Sequence, residues 1–262
     1  MALFRRNVVG TEVLSMWRYV SHAEPVTRKE LIQRYYPGDA SNPNESDQRK
    51  PLVDAIDFLI DTRQFLEHEN GLVITDAARE EVCPEVSILR GIRTATGEDA
   101  AYNDVLDVLT EDDQVFFDRG DPLVDLLSGR RSDVSWNSTR LNYWRRMMDA
   151  IGVVRDVDAD SDEDYTTMLS LHRELLNALL RSVMEPSEPA QLSQVLNDLH
   201  EEYLPVYAGA NRNSVAAYIE RALSHAQAHD DVNIGQESDF GPTVDLNGAG
   251  VNLIALRVRS QE

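Results

Sequence analysis

The segment Phe65–Ile74 reads FLEHENGLVI, and it decides how the first part of the chain folds. Asn70 and Gly71 lie between two apolar stretches. Both residue types tolerate the positive φ angles that a tight two-residue turn requires. An Asn-Gly pair flanked by apolar runs is the strongest short signal for a β-hairpin. The segment therefore predicts two antiparallel strands joined by a turn.

Three helices are predicted before this hairpin, because apolar residues recur at helical spacing in three segments. The first helix is expected to begin near Thr11, the second after Thr27 and the third near Asp47. Thr27 and Glu30 form a capping-box pattern, in which each side chain accepts a hydrogen bond from the other residue's amide. Three helices followed by a hairpin make a mainly α unit with a small β element.

This order of elements resembles the winged helix–turn–helix superfamily over residues 1–80. The superfamily has no fixed residue motif, so the resemblance lies in the order of helices and strands. The loop before the third helix, Gly38 to Ser46, is longer than is usual in that superfamily. The resemblance implies that the third helix enters the major groove of DNA. It therefore implies DNA contacts from Arg49 and Lys50, at the start of that helix.

The rest of the chain repeats this pattern. We predict a helical connector over residues 81–120 and a second winged-helix-like unit over 121–170, beginning at Asp121-Pro122 and containing a helix capped by Ser135 or Asn137. Residues 171–262 are predicted as helices ending in a C-terminal hairpin, with the turn at 247–250 and a strand through Val258, which suggests a third such unit. The predicted fold is mainly α with small β-hairpins, built from tandem winged-helix units.

The strongest candidate site is the segment Ser128–Met148, SGRRSDVSWNSTRLNYWRRMM. Between Arg130 and Arg146 it holds five arginines and one acid, Asp133. On a helix beginning near Asn137, the residues expected to face the core are Leu141, Trp144, Met148 and Ile151. Met147 is placed on the other face, with Arg140 and Tyr143. We expect phosphate contacts from Arg130, Arg131, Arg145 and Arg146, and base contacts from Thr139, Arg140 and Tyr143.

Two observations favour a different interpretation of these arginines. The chain offers so many acids that every arginine has ion-pair partners available. The predicted wing (hairpin) of the second unit, Asp156–Asp164, also holds six acids and no base, so it should be repelled by phosphate. The helix of this unit could therefore contact DNA while its wing could not, or the unit binds a protein instead.

Metal sites and catalysis are not predicted. The alternating acids from Asp158 to Asp164 suggest calcium, but the EF-hand pattern requires Gly where Glu163 stands and Glu where Leu169 stands. His225 and His229 are spaced to share a helix face, but a zinc site needs further ligands. No phosphate-binding glycine loop and no nucleophile motif is found. We therefore expect no cofactor, no metal and no enzymatic activity.

The composition is strongly acidic. The formal net charge is −21, with 46 acids and 25 basic residues, and Lys29 and Lys50 are the only lysines. Few lysines and many aspartates resemble the composition of proteins from salt-in halophiles. The single cysteine, Cys83, excludes an internal disulfide. No apolar stretch is long enough to span a membrane and no signal peptide is recognisable, so a cytoplasmic location is expected.

Two functions follow from these patterns. The first is non-catalytic binding of double-stranded DNA, as a regulator or as a subunit of a DNA-processing complex. The second is a protein–protein interaction scaffold, similar to the kleisin-binding subunits of chromosome-organising complexes, which also consist of tandem winged helices. The apolar segment Leu253–Val258 favours the second function. It is predicted to be a central strand or an interface for a protein partner or a second copy.

Overall fold

The computed structural model describes residues 8, 10–36, 38, 46–118, 121–130, 132, 134–157, 166–186, 188–209, 214–238 and 240–257. Over these residues the fold is mainly α, with small antiparallel sheets, as predicted. None of the helices in these residues combines the length and the apolar character needed to cross a membrane.

The helices within this part of the chain are α1 Gly10–Ala23, α2 Arg28–Tyr35, α3 Ser46–Asp61, α4 Asp76–Glu80, α5 Pro84–Arg93, α6 Ala101–Glu111, α7 Asp121–Arg130, α8 Ser138–Ile151, α9 Arg173–Val183, α10 Leu192–Glu202 and α11 Ala217–Ala228. The strands are β1 Phe65–His68, β2 Gly71–Ile74, β3 Phe116–Asp118, β4 Val154–Val157, β5 Thr166–Leu169, β6 Ala190–Gln191, β7 Tyr207–Ala208, β8 Ser214–Val215, β9 Val232–Gly235, β10 Val244–Leu246, β11 Ala249–Val251 and β12 Leu253–Leu256.

One order of elements occurs three times along the chain. A helix is followed by a short strand or a single bridging residue, then by two helices and two strands, and the third repeat adds the hairpins β7–β8 and β10–β11. In the first repeat (10–74), Val26 bridges to β2, which pairs with β1. In the second repeat (101–169) the strand order is β3-β5-β4, and in the third (173–256) it is β6-β12-β9. In each sheet the last strand of the repeat therefore lies in the middle.

The contacts within the chain divide it into two compact units. Unit 1 consists of Met1–Asn103 and Arg119–Ile151, and unit 2 of Asp104–Asp118 and Gly152–Glu262. The helices α7 and α8 thus belong to unit 1, whereas the strands β3, β4 and β5 belong to unit 2. The strand β3, inside the predicted connector, pairs with β5.

In the first repeat the predicted capping box is confirmed. The Thr27 hydroxyl accepts a hydrogen bond from the Glu30 amide at 3.2 Å, and the Glu30 carboxylate accepts one from the Thr27 amide at 2.8 Å. These bonds satisfy amides that have no partner within the helix, so they define where α2 begins.

The predicted first hairpin is also confirmed, with its turn shifted by one residue. His68 pairs with Gly71, so Glu69 and Asn70 form the turn. Gly71 has a φ of +131°, and a Cβ atom there would lie 2.8 Å from the Val26 carbonyl carbon. Glycine is required at this position because the bridging backbone at Val26 passes so close to it.

The third helix of each repeat ends in a left-handed residue before the next strand. These residues are Arg63 (φ 59°), Gly152 (φ 99°) and Asp230 (φ 58°). At Arg63 the end is a Schellman motif. The Arg63 amide donates to the Ile60 carbonyl at 2.9 Å, and the Gln64 amide donates to the Leu59 carbonyl at 2.7 Å.

The predicted C-terminal hairpin needs a correction. The hairpin consists of β10 and β11 only, with its turn at Asn247 and Gly248, whose φ angles are both positive. The following strand, β12, instead pairs with β9 on one side and β6 on the other. The chain changes partner at Asn252, whose buried side-chain amide is satisfied by hydrogen bonds with the backbone of Glu237 and Gly241.

Candidate nucleic-acid interface

The helix α8 carries most of the predicted site. Asn137 caps it, because the Asn137 side-chain oxygen accepts a hydrogen bond from the Arg140 amide at 3.0 Å. Of the two predicted caps, Ser135 and Asn137, the structure therefore shows Asn137. An asparagine cap satisfies one of the free amides of the first turn and holds the start of α8 in place.

Two contacts within unit 1 position α8. The Trp144 indole nitrogen donates a hydrogen bond to the Tyr102 carbonyl at 3.0 Å, and the ring is 1% exposed. At the other contact α1 begins with Gly10, where a Cβ atom would lie 2.4 Å from the Ala150 Cβ and 2.9 Å from the Arg146 carbonyl oxygen. Only a residue without a side chain allows α1 and α8 to approach this closely.

The buried face of α8 matches the prediction except at one position. Its buried residues are Leu141, Trp144, Met147, Met148 and Ile151. Met147 was predicted to share the open face with Arg140 and Tyr143, and this is wrong. The close approach of α1 at Gly10 widens the buried face, and Met147 is fully buried.

The open side of α8 is a stripe of residues spaced by three or four positions. Thr139, Arg146 and Asp149 are exposed on it, with Asn142 half-buried between them. Asn142 accepts a hydrogen bond from the guanidinium of Arg145 at 3.2 Å. The stripe thus combines two polar side chains and an arginine over its first turns, and ends in an acid.

The predicted contact residues are distributed as follows. Thr139, Arg140, Tyr143, Arg145 and Arg146 all lie on α8, and Arg140, Tyr143 and Arg145 are half-buried. Arg130 is exposed at the last residue of α7. Arg131, Asp133 and the predicted turn, residues 158–164, lie outside the described residues. Asn142 was not predicted, although its spacing of three from Thr139 could have indicated it.

The first repeat presents its cations differently. Lys50 pairs with Asp54 at 2.8 Å, and Arg49 is half-buried. Arg28 of α2 donates to Glu67 at 2.6 and 3.0 Å and to Asp57 at 2.6 Å. The hydrogen bonds to Glu67, above all, raise the pKa of Arg28. In this repeat Arg28 is therefore neutralised by acids of the same chain.

The third helices of the three repeats differ in net charge. The helix α3 contains Arg49, Lys50 and four aspartates, so its net charge is −2. The helix α8 contains three arginines and Asp149, so its net charge is +2. Within α11, Glu220 balances Arg221.

The hairpin β10–β11 also contacts α11. The Asn247 side-chain amide donates to the Ser224 hydroxyl at 2.9 Å, and the Asn247 backbone amide bonds to Glu220. The hairpin therefore occupies part of the open side of this third helix.

Groups suited to metal or thiol chemistry lie elsewhere. The rings of His225 and His229 are 4.3 Å apart between centroids, but no cluster of three metal-ligating side chains occurs within the described part of the chain. Cys83 precedes α5, and burial, above all, raises the pKa of its thiol to about 11. A thiol with so high a pKa is a poor nucleophile near neutral pH.

In comparison with known proteins, the sequence matches no family model and no curated protein.

Proposed function

We propose that the protein is a non-catalytic, tandem winged-helix protein that binds double-stranded DNA, and that α8 approaches the major groove. The proposal rests on one observation. Among the three third helices in the described part of the chain, α8 is the one with a net positive charge. Three helices followed by two strands is also the order of elements in winged helix–turn–helix proteins, whose recognition helix lies in the groove.

Different side chains of α8 take different roles. The N-terminal residues of a recognition helix reach base edges, so we expect Thr139 and Asn142 to contact bases. Arg146 and Arg130 are exposed and suit phosphate contacts, with Arg145 beside them. Asp149 ends the open stripe and repels phosphate, so the first turns of α8 lie closest to the duplex.

The net charge of the whole chain opposes this contact. A charge of −21 repels DNA at low ionic strength. The Debye length falls from about 10 Å at 0.1 M salt to about 3 Å at 1 M, so high salt removes most of this repulsion. Three arginine–phosphate contacts predict a slope of log affinity against log salt near −2.7 for B-DNA, and the repulsion makes the measured slope shallower.

The test is a titration of the full chain against a labelled duplex over a series of KCl concentrations, read by fluorescence anisotropy. Arg146→Ala is expected to weaken binding to all sequences and to reduce the salt slope by about 1. Thr139→Ala is expected to change the preference between sequences. The matched control is Arg181→Ala, which removes an exposed arginine from α9.

Two outcomes would contradict the proposal. One is the absence of saturable duplex binding at every KCl concentration at which circular dichroism shows a folded chain. The other is equal weakening by Arg146→Ala and Arg181→Ala, because α8 would then contribute only net charge. Binding that depends on Arg146 would leave open whether the protein is a regulator or a complex subunit, and identification of bound genomic sites would separate the two.

A second candidate function is a protein–protein interaction scaffold. It is favoured by the third repeat, where β10–β11 occupies part of α11 and where β12 is only half covered. Leu253 and Ile254 pair with β6, but Ala255 and Leu256 pair with β9 alone among the described residues. Sedimentation velocity tests association between copies through this edge. Leu256→Arg should convert an oligomer to a monomer, and a wild-type chain that is monomeric at all concentrations removes this form of the hypothesis.

A further inference from the structure

One face of the sheet β3-β5-β4 carries an aromatic ring and arginines. Phe116 of β3 and Arg155 of β4 both pair with Met168 of β5, in one row across the sheet. Residues directly opposite each other in antiparallel strands place their side chains on the same face. Phe116 and Arg155 therefore flank Met168, separated by two strand spacings, roughly 10 Å.

A third element of unit 2 contributes to the same place. Arg221 of α11 lies with its guanidinium 3.8 Å from the Met168 sulfur. Met168 is 5% exposed, whereas Arg155 and Arg221 are both exposed. The result is an apolar floor at Met168, surrounded by one aromatic ring and two cations.

The exposure of Phe116 is not explained by the packing of the sheet. The opposite face holds the buried residues Phe117, Thr167 and Val154. Phe116 itself is 54% exposed, more than any other large hydrophobic residue in the described part of the chain. Exposure of a Phe ring costs hydrophobic free energy that burial would recover, so a ligand that covers the ring gains from it.

We propose that this face binds single-stranded nucleic acid, with a base stacked on Phe116 and backbone phosphates held by Arg155 and Arg221. An exposed ring beside cations is the arrangement with which proteins bind single strands, because every unpaired base offers a flat face. A duplex hides these faces within its stack. An acidic peptide could meet the arginines, but it carries no base to stack on the ring.

The proposal does not rest on DNA binding by α8. Phe116, Arg155, Met168 and Arg221 all belong to unit 2, whereas α8 belongs to unit 1. Variants at the two places therefore separate the two activities. The net charge of −21 disfavours phosphate at low salt, so we expect the tightest binding at a salt concentration that screens it.

The experiment is a titration of the full chain with a labelled 15-nucleotide oligothymidine over the same KCl series. Phe116→Ala is expected to weaken binding about tenfold, within the range measured for the loss of one stacked base. Phe116→Tyr keeps an aromatic ring and should bind within about twofold of the wild type, whereas Phe116→Leu should resemble Phe116→Ala. Because Phe116 is exposed, thermal unfolding of these variants should differ little from that of the wild type.

The arginines are tested in the same assay. Arg155→Gln and Arg221→Gln should each weaken binding and reduce the salt slope by about 0.7, the value for one phosphate of a single strand. Arg221→Lys retains the charge and guards against a packing effect on Met168. Arg181→Gln, with the same change of charge on α9, should leave oligothymidine binding unchanged.

Four results would overturn the proposal. These are no saturable oligothymidine binding at any salt concentration, equal affinities for Phe116→Ala and Phe116→Tyr, an effect of Arg181→Gln as large as that of Arg155→Gln, and displacement of the oligonucleotide by a 15-residue polyglutamate at equal concentration. The last result would show that the face selects anions and not bases.

Discussion

The helices α3 and α8 occupy the same position in two repeats but carry net charges of opposite sign. Each is the third helix, each carries an arginine among its first four residues, and each leads through a left-handed residue into a strand. Yet α3 holds four aspartates and α8 holds one. The order of elements determines which helix is the third in each repeat. The number of acids on that helix determines whether it can bind a polyanion.

The ion pairs around α3 make this difference concrete. Lys50 is bound by Asp54 one turn away, and Arg28 bridges Asp57 of α3 and Glu67 of β1. These pairs tie α2, α3 and β1 together, whereas Arg146 of α8 is exposed. In the first repeat Arg28 and Lys50 form ion pairs with acids of the same repeat. In the second repeat the arginines of α8 are proposed to bind DNA.

The largest expected effect tests whether α8 belongs to the same body as α1. Trp144→Ala removes a buried indole and its hydrogen bond to Tyr102, so it should cost about 3–5 kcal/mol of unfolding free energy. Hydrogen exchange should show lost protection in α1 as well as in α8. Trp144→Phe keeps most of the volume and should cost less. Full protection of the α1 amides in Trp144→Ala would show that α8 folds separately from the first repeat.

The close approach at Gly10 is the next test of how α8 is held. Gly10→Ala places a Cβ within 3 Å of Ala150 and of the Arg146 backbone, and should cost about 1–3 kcal/mol in urea unfolding. Adding Ala150→Gly relieves the nearer clash only. The control is Gly129→Ala in α7, where a Cβ would meet no described atom within 4 Å and stability should stay or rise. Equal losses at both glycines would contradict the contact.

Arg28 sharpens the comparison directly. Arg28→Gln leaves Asp57 and Glu67 without their shared cation, and because all three side chains are partly exposed the loss should be about 1 kcal/mol. Lys29→Gln, its exposed neighbour, should cost nothing measurable. Duplex affinity should fall for Arg146→Ala and stay unchanged for Arg28→Gln. A reversal of that order would move the proposed DNA contact to the first repeat.

The capping box predicts both a loss and a pH dependence. Thr27→Ala should cost about 1 kcal/mol in urea unfolding at pH 7. The hydrogen bond from the Thr27 amide, above all, lowers the pKa of Glu30. Because the folded-state pKa is lower, this contribution is present at neutral pH and is lost as the pH falls below 4.5 through the lowered value. Glu30→Gln keeps an oxygen acceptor but should lack this part of the acid dependence.

The smallest expected effect concerns the exits of the third helices. The second repeat has Gly152 in the left-handed position, and the first has Arg63 at φ 59°. Arg63→Gly should therefore stabilise the chain, by about 0.5 kcal/mol once the greater flexibility of unfolded glycine is counted. Thermal unfolding measures this change. A loss of stability would mean that the Arg63 side chain contributes more than its backbone conformation costs.

Local features of the fold were predictable from the sequence. The capping box at Thr27, the hairpin after His68 and most of the buried face of α8 depend on residues within a few positions of each other, where spacing is informative. The strand β3 was missed because three residues carry too little periodicity. The helix α5 was not predicted individually within the helical connector, although its buried residues Val86, Leu89 and Ile92 are spaced by three.

The candidate sites were less predictable, because their side chains meet across long stretches of chain. Arg28 finds its acids 29 and 39 positions away, and no spacing rule selects those two from 46. Met147 was misplaced because α1 packs against it at Gly10, a residue more than 130 positions earlier in the sequence. Phe116 and Arg221 meet at Met168 only because α11 lies beside a sheet of the previous repeat.

The division of the chain into units also determines the order in which it can fold during synthesis. Unit 1 needs residues up to Ile151, but unit 2 already begins at Asp104. Folding therefore cannot finish one unit before the next is started, although domains usually fold in order as they emerge from the ribosome. Until α8 is made, the surface of α1 around Gly10 has no cover from it. An N-terminal fragment ending before Asp121 would keep that surface open, and is expected to aggregate where the full chain does not.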